Sequence, residues 1–316
     1  MTHSLHETGI GENRAIVFED GEPVQYLLAR PGPRVAERVL ARLLHREGVR
    51  AFVTMAGGEA LLDPAPPGVP EGATLMVEVR REAIPEPGRP RLTRVAALPA
   101  GTAPRDGPTL LDCLPAPVRQ TSPHGPDTLE DAGWSEAVEE ARTGRVTFAH
   151  GQLTLTRTPA FLAIDVDGPG ATFDLARVAA IALARAVRRF DVGGSIVVDF
   201  PTLADRAQRT AIGELLDAHL PPPFERTAMN GFGLVQIVRP KLRPSLLDHV
   251  QGDAIATAAL ALLRLAEREP GTGELRLIAA PSVADWLAAR PELLAELARR
   301  IGRAVRLAPA APRPTL

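Results

Sequence analysis

Residues 160–200 place the tightest limit on the fold of this chain. Ala160-Phe161-Leu162-Ala163-Ile164-Asp165-Val166-Asp167-Gly168 is a short apolar run that ends in acids. Residues 173–190 then repeat Leu175, Val178, Ile181, Ala182, Leu183 and Val187 at helical spacing, with Arg177, Arg185, Arg188 and Arg189 opposite, the pattern of an amphipathic helix. After the Gly193-Gly194 stop, Ser195-Ile196-Val197-Val198-Asp199-Phe200 is a second apolar run ending in an acid. Strand, helix and strand in so short a span form a βαβ unit, whose strands run parallel through a right-handed crossover.

The flanking sequence extends this α/β pattern. A helix over 135–142 and strands over 145–148 and 152–156 precede the unit. A helix over 206–219 and a strand over 233–238 follow it. Beyond Pro244 the pattern gives a helix (253–269), a strand (274–279), helices from 283 and over 291–301, and a strand (304–307). Nearer the start, alternating residues on either side of Glu19-Asp20-Gly21-Glu22 predict a β-hairpin over 13–30. Short strand-like runs between Gly/Pro loops over 35–95 predict a small β-barrel. Residues 99–133, rich in Pro, Gly, Asp and Thr and without period, read as a linker or poorly ordered loop. The expected organisation is therefore 1–30 as a hairpin of the core, 31–98 as the barrel, 99–133 as linker, 134–248 as the main α/β core, and 249–316 as a small C-terminal α/β domain.

Composition excludes several classes. In 316 residues, 45% hydrophobic and 23% charged content argues against wholesale disorder, and a net charge of −2 excludes a general polycation. Every basic residue except Lys241 is arginine. A lone Cys113 excludes an internal disulfide and a multi-cysteine zinc site within one chain, and fits a reducing compartment. No start resembling a signal peptide is seen, and the longest apolar stretches, such as 254–263, are too short or too broken by charge to span a bilayer. A soluble, cytoplasmic protein is expected.

Asp165 and Asp199 each end a strand of the βαβ unit, where open parallel sheets present ligand-binding side chains. Asp167 shares the face of Asp165 if that strand stays extended. Two readings are open on spacing alone. Acids after a strand are common turn chemistry and helix caps. Three carboxylates in one crevice would also repel, which a hard divalent cation with carboxylate and water ligands relieves.

Four blocks in order resemble the catalytic core of the ribonuclease E/G family: Ala163-Ile164-Asp165-Val166-Asp167-Gly168 with Ala171-Thr172, Gly193-Gly194-Ser195-Ile196-Val197-Val198-Asp199-Phe200, Phe232-Gly233-Leu234-Val235-Gln236-Ile237, and Arg243-Pro244-Ser245-Leu246. The resemblance is strong over 134–248 and weak over 13–95. It implies a mixed α+β fold: a ribonuclease-H-like and deoxyribonuclease-I-like α/β core, a reduced oligonucleotide-binding-fold barrel and a small C-terminal α/β domain. It implies that Asp165 and Asp199 bind Mg²⁺, with Mn²⁺ an alternative on oxygen ligands, that Asp167 supports them, and that cleavage leaves a 5′-phosphate. Asp167 stands where the family usually has Asn, and Thr202 where a further acid is usual. Arg206, Gln208 and Arg209 match a polar helix start and are expected to contact phosphate; the alternative is a solvated helix face. Phe52 matches an RNA-stacking aromatic, or is a core residue of the barrel; Leu61 replaces its companion. Phe232 is expected in the core, Trp134 and Trp286 as packing anchors, and the histidines, His45 among them, as isolated.

The departures are specific too. The short 99–133 region leaves no room for the family's 5′-phosphate sensor. Gln251-Gly252 stand where the zinc-link cysteines belong, so no structural zinc is expected and any homo-oligomer would form without a zinc bridge. The function so implied is a magnesium-dependent endoribonuclease acting on single-stranded RNA. The alternatives are a catalytically weak or inactive RNA-binding paralogue of the same fold, and a metal-dependent phosphoesterase of small substrates.

Overall fold

Thr2–Thr8 (β1), Asn13–Glu19 (β2) and Glu22–Ala29 (β3) open the chain as an antiparallel meander. Asp20 and Gly21, both at positive φ (51° and 89°), supply the two left-handed residues that a tight hairpin turn between β2 and β3 needs. The structure, a computed structural model, describes residues 1–88 and 90–309; residues 310–316 of the expected C-terminal domain lie outside the described residues.

Arg38–Glu47 (β4), Arg50–Met55 (β5), Gly58–Leu62 (β6), Thr74–Arg81 (β7) and Thr93–Ala97 (β8) close into a five-stranded barrel in the order β4-β5-β6-β8-β7. Strand alternation sends Ala41, Leu43, Ala51, Val53, Ala60, Leu62, Val77, Val79 and Val95 inward, and small and β-branched side chains suffice to fill so narrow an interior.

The 99–133 segment is not a free linker, and the expectation of poor order there is corrected. Val118–Thr121 (β9) pairs parallel with β1 and completes the sheet β3-β2-β1-β9, while Leu110, Leu114 and Leu129 are buried. Charge anchors the segment as well. Arg14, 1% exposed, donates from Nε to Glu7 (2.9 Å) and from Nη2 to Asp127 (2.6 Å), and Arg268 pairs with both carboxylates. Buried ions of this kind persist only when they are mutually paired.

Trp134–Thr143 (α1) leads into Arg145–Phe148 (β10), Gly151–Arg157 (β11), Leu162–Asp167 (β12), Thr172–Arg189 (α2), Gly194–Asp199 (β13), Arg206–His219 (α3), Glu225–Arg226 (β14) and Leu234–Arg239 (β15). The sheet order is β10-β11-β12-β13-β15-β14; β12 and β13 run parallel, as the βαβ pattern requires, and β15 is antiparallel to β13. Alternate residues Ile164, Val166, Val198, Val235 and Ile237 join Ala176, Ala180, Leu183, Ile212 and Leu216 of the two long helices in one core that also holds Trp134, Ile16 and Tyr26. Val178, grouped with the apolar face in the sequence, is instead 37% exposed. The other face of the sheet carries Thr154, Asp165, Asp199 and Gln236, half-buried or exposed.

Leu246–Gly252 (α4), Ala254–Glu267 (α5), Leu275–Ala279 (β16), Pro281–Ala288 (α6), Pro291–Ile301 (α7) and Val305–Pro309 (β17) complete the described chain, with β16 parallel to β17 over a separate apolar cluster. Helix α4 starts in a full capping box between Ser245 and Asp248. Asp248 also receives Lys241 Nζ (2.9 Å) and Arg157 Nη2 (3.1 Å). Among the described residues no single helix is long and apolar enough to cross a membrane.

Candidate functional site

The two strand-end acids come together because β12 and β13 are adjacent, parallel and in register: Asp165 is the direct Cα partner of Asp199. Neighbouring strands lie about 4.8 Å apart and directly paired residues point to the same side. Both carboxylates therefore emerge side by side on the open face, and both residues are exposed. Asp167, two residues on in the same strand and also exposed, lies on that face opposite Gln152 of β11. The chain turns away at Gly168, where a Cβ would stand 2.4 Å from the His150 carbonyl and 2.8 Å from Leu175, so only glycine lets the strand leave for α2 at this angle.

Electrostatics show that the acids sense one another. The Asp165 carboxyl is pushed above the usual aspartate range, first by its partial burial, then by the charge of Asp167 and a carboxyl–carboxyl hydrogen bond with it, and then by Asp199. Among the described residues no three His, Cys, Asp or Glu side chains gather closely enough to hold a metal ion. The three acids thus do not form a closed cage. A laterally paired, mutually repelling Asp165 and Asp199 does fit a hard divalent cation, since Mg²⁺ characteristically takes one or two carboxylates and keeps several waters.

The edge beside Asp199 is shaped by a turn. Asn230 Oδ1 accepts from the backbone N–H of Phe232 (2.9 Å) and of Leu234 (3.0 Å). Gly233, at φ 92°, sits so close to Phe200 that a Cβ would fall 2.1 Å from its carbonyl oxygen. The Phe232 side chain is left 79% exposed, two residues from the strand partner of Asp199. This corrects its expected place in the core; the backbone bonds of the turn, not apolarity, decide where it goes.

Helix α3 begins after the loop that leaves Asp199, capped by Asp205, whose Oδ1 accepts from the Ala207 N–H at 2.8 Å. Arg206, in the first helical position, is exposed, and Gln208 is half-buried. Arg209 Nη1 donates to the carbonyls of Leu203 (2.6 Å) and Ala204 (2.8 Å), so this side chain ties the loop to the helix. Of the three polar residues named from sequence, Arg206 is the one whose charge faces solvent at the helix start.

In the barrel, Ala51 and Val53 face the interior and the half-buried Phe52 between them faces out, opposite Leu61 of β6. Phe52 is therefore not part of the barrel core. His45 of β4 stacks on it, with ring centroids 4.6 Å apart and planes 14° from parallel. In the sequence His45 stands isolated, with no aromatic residue beside it. Only the β4–β5 register, which pairs residues 45 and 52, brings the two rings together.

Comparison with known proteins bears on the segment that carries the acids. The model of the Ribonuclease E/G family matches residues 116–242. A Ribonuclease E/G-like protein, chloroplastic, from Arabidopsis thaliana is 29% identical over 130 residues, covering 35% of this chain and 13% of that protein. A Holliday junction branch migration complex subunit RuvA from Cereibacter sphaeroides is 36% identical over 85 residues, covering 26% of this chain and 36% of that protein. The chain thus spans only a minor part of either relative. The β9-to-β15 region, with Asp165, Asp167 and Asp199 inside it, is thus the part of the chain that is similar to the Ribonuclease E/G family.

Proposed function

We propose that this chain is a magnesium-dependent endoribonuclease that hydrolyses single-stranded RNA and leaves 5′-phosphate products. The observation that carries this reading is the lateral register of Asp165 and Asp199 at the ends of parallel strands on an open sheet face. These two carboxylates would hold the ion, and Asp167 would accept hydrogen bonds from its water ligands. A divalent ion bound there supplies a Lewis acid for the phosphodiester oxygen and a more acidic water. Arg206, at the start of α3, contributes a guanidinium that can fork onto a backbone phosphate. Phe52, with His45 stacked behind it, and Phe232 offer exposed ring surface on which single-stranded bases can stack. The barrel carrying Phe52 then acts as the oligonucleotide-binding module, and 134–248 as the ribonuclease-H-like and deoxyribonuclease-I-like core.

A second reading is an RNA-binding paralogue that cleaves weakly or not at all. It is favoured by the extra charge at Asp167, which stands where the resembled family usually has Asn. Calorimetric titration with Mg²⁺, paired with RNA-binding measurements, separates the two. The enzyme reading expects one Mg²⁺ site that Asp165→Ala or Asp199→Ala abolishes. RNA binding without any Mg²⁺ site in the wild type would contradict it.

A further inference from the structure

A cavity of about 330 Å³ lies at the opposite end of the sheet from the acids, where β3, the 107–113 segment, the edge of the barrel and the 239–246 connection meet. It reaches Gly193, just before β13, and at about 3.3 Å per residue along that strand the Asp199 end lies about 16 Å or more away. The ribonuclease reading makes no use of it, although it contains the Arg243-Pro244 pair of the fourth sequence block.

Its charge is unbalanced. Arg34, Arg239 and Arg243 all line the cavity. Arg243 Nε pairs with Asp191 at 3.0 Å. Among the described residues, neither Arg34 nor Arg239 has a carboxylate within ion-pair distance; Arg34 Nε donates to the Gly107 carbonyl (2.9 Å) and Arg239 Nη1 to that of Val192. The Nε of Arg239 is buried without any partner. Glu82 is the other acid on the wall, its carboxyl pushed upward by burial against the pull of the Val35 N–H and of Arg243 and Arg34, so these three guanidiniums face two acids. A cation held out of water without a counter-ion is costly, and an anion arriving in the cavity would remove that cost.

We infer that this cavity binds a small phosphate-bearing ligand of mononucleotide size, at a site separate from the acid cluster. Guanidinium forks match phosphate oxygens, and the three outnumber the two acids of the wall, Asp191 and Glu82. The volume equals the share of about eleven liquid waters at ~30 Å³ each, far more than a bare tetrahedral anion fills. Leu28, Leu110, Val192 and Leu242 provide apolar wall for a base and sugar. Sites of this kind, concave and mostly apolar with a few convergent polar groups, are the usual form of small-molecule pockets.

The chain carries its own reporter, because Cys113, its sole cysteine, is exposed and lines the cavity. The test is the rate of Cys113 alkylation by iodoacetamide in the full chain, with AMP, UMP, orthophosphate or adenosine added. Saturating AMP or UMP should slow alkylation at least tenfold, and orthophosphate or adenosine less than twofold. Arg239→Gln should abolish protection; since Arg239 also holds the Val192 carbonyl, Arg34→Gln, on a half-exposed side chain, serves as the second variant and should raise the half-protecting AMP concentration at least tenfold. An Asp165→Asn/Asp199→Asn chain should be protected like the wild type. An alkylation rate indifferent to millimolar nucleotide, equal protection by orthophosphate, or loss of protection in the double aspartate variant would each overturn the inference, whatever the outcome for RNA cleavage.

Discussion

Replacing Asp165 by Asn should make the metal-free protein more stable at neutral pH, which is unusual for a residue placed at the heart of a functional site. Asp165 and Asp199 are direct partners on adjacent strands, so their charges are separated by about 5 Å, given the ~4.8 Å strand spacing. Two unit charges at that distance repel by about 0.8 kcal/mol in water and about 3 kcal/mol at an effective dielectric of 20. Both residues are exposed, so solvent screening sets the lower figure, and about 1 kcal/mol is expected once Asp167 is included. For a chain of this size that is a rise in Tm of about 2 °C. The sign follows from the folded carboxyl lying above its ordinary value. The penalty is full at pH above the raised folded value, shrinks as pH falls through it, and is gone below the unfolded value of about 3.9. Thermal unfolding of wild type and Asp165→Asn in chelator, from pH 3.5 to 8, measures it. Saturating Mg²⁺ should reverse the order, since wild type alone gains RT ln(1 + [Mg²⁺]/Kd), about 2.7 kcal/mol at a hundredfold excess over Kd. A variant less stable than wild type in chelator at pH 7, or a gap that does not depend on pH, would refute the reasoning.

Other consequences lie away from the acids. Asp248→Asn should destabilise the fold by about 3–5 kcal/mol at pH 7, because Lys241 and Arg157 are left facing a neutral amide in a buried site. Burial pushes the Asp248 carboxyl up, but Lys241 and the Ser245 hydrogen bonds hold it below the ordinary value; its contribution is therefore complete above about pH 3.9 and lost as pH falls through the lower folded value, so chemical denaturation should show the two proteins converging in acid. Phe52→Ala should weaken single-stranded RNA binding about tenfold in fluorescence anisotropy, the loss of roughly one stacked base, without changing the Mg²⁺-induced rise in Tm; unchanged affinity would remove the barrel from the substrate path. Phe232→Ala should weaken the same binding by a similar factor and Phe232→Trp should restore it, with the new indole quenched by added RNA; an unquenched indole would mean that this ring does not meet a base.

Local pattern revealed those parts of the molecule that local pattern controls. The βαβ unit, its parallel strands and helix α3 follow from periodicity, and the β2–β3 hairpin follows from Asp20-Gly21. The features that were not legible depend on partners distant in sequence. Strand β1 is masked by His3, Ser4, His6 and Glu7; Ser4, His6 and Glu7 are nonetheless buried, with Glu7 held by Arg14 and Arg268. The 99–133 segment looks structureless by composition, yet β9 and Asp127 are fixed by β1 and Arg14. Helix α4 is too short to show a period and depends on its capping box. At the site, the identity of the acids was readable from strand ends, and their mutual register only from the folded sheet. The exposure of Phe232 and the His45–Phe52 stack depend on turn hydrogen bonds and cross-strand pairing, which no single run of residues reveals.

The proposed activity requires Asp165 and Asp199 to act as one metal-dependent hydrolytic centre. The direct test is incubation of a 5′-labelled, single-stranded A/U-rich RNA with Mg²⁺, comparing wild type with the Asp165→Asn/Asp199→Asn variant at matched purity. Mg²⁺-dependent cutting by wild type only, with 5′-phosphate on the downstream fragment, is the expected result. Equal cutting by both proteins, or binding of the RNA by wild type with no cutting at all, would contradict it.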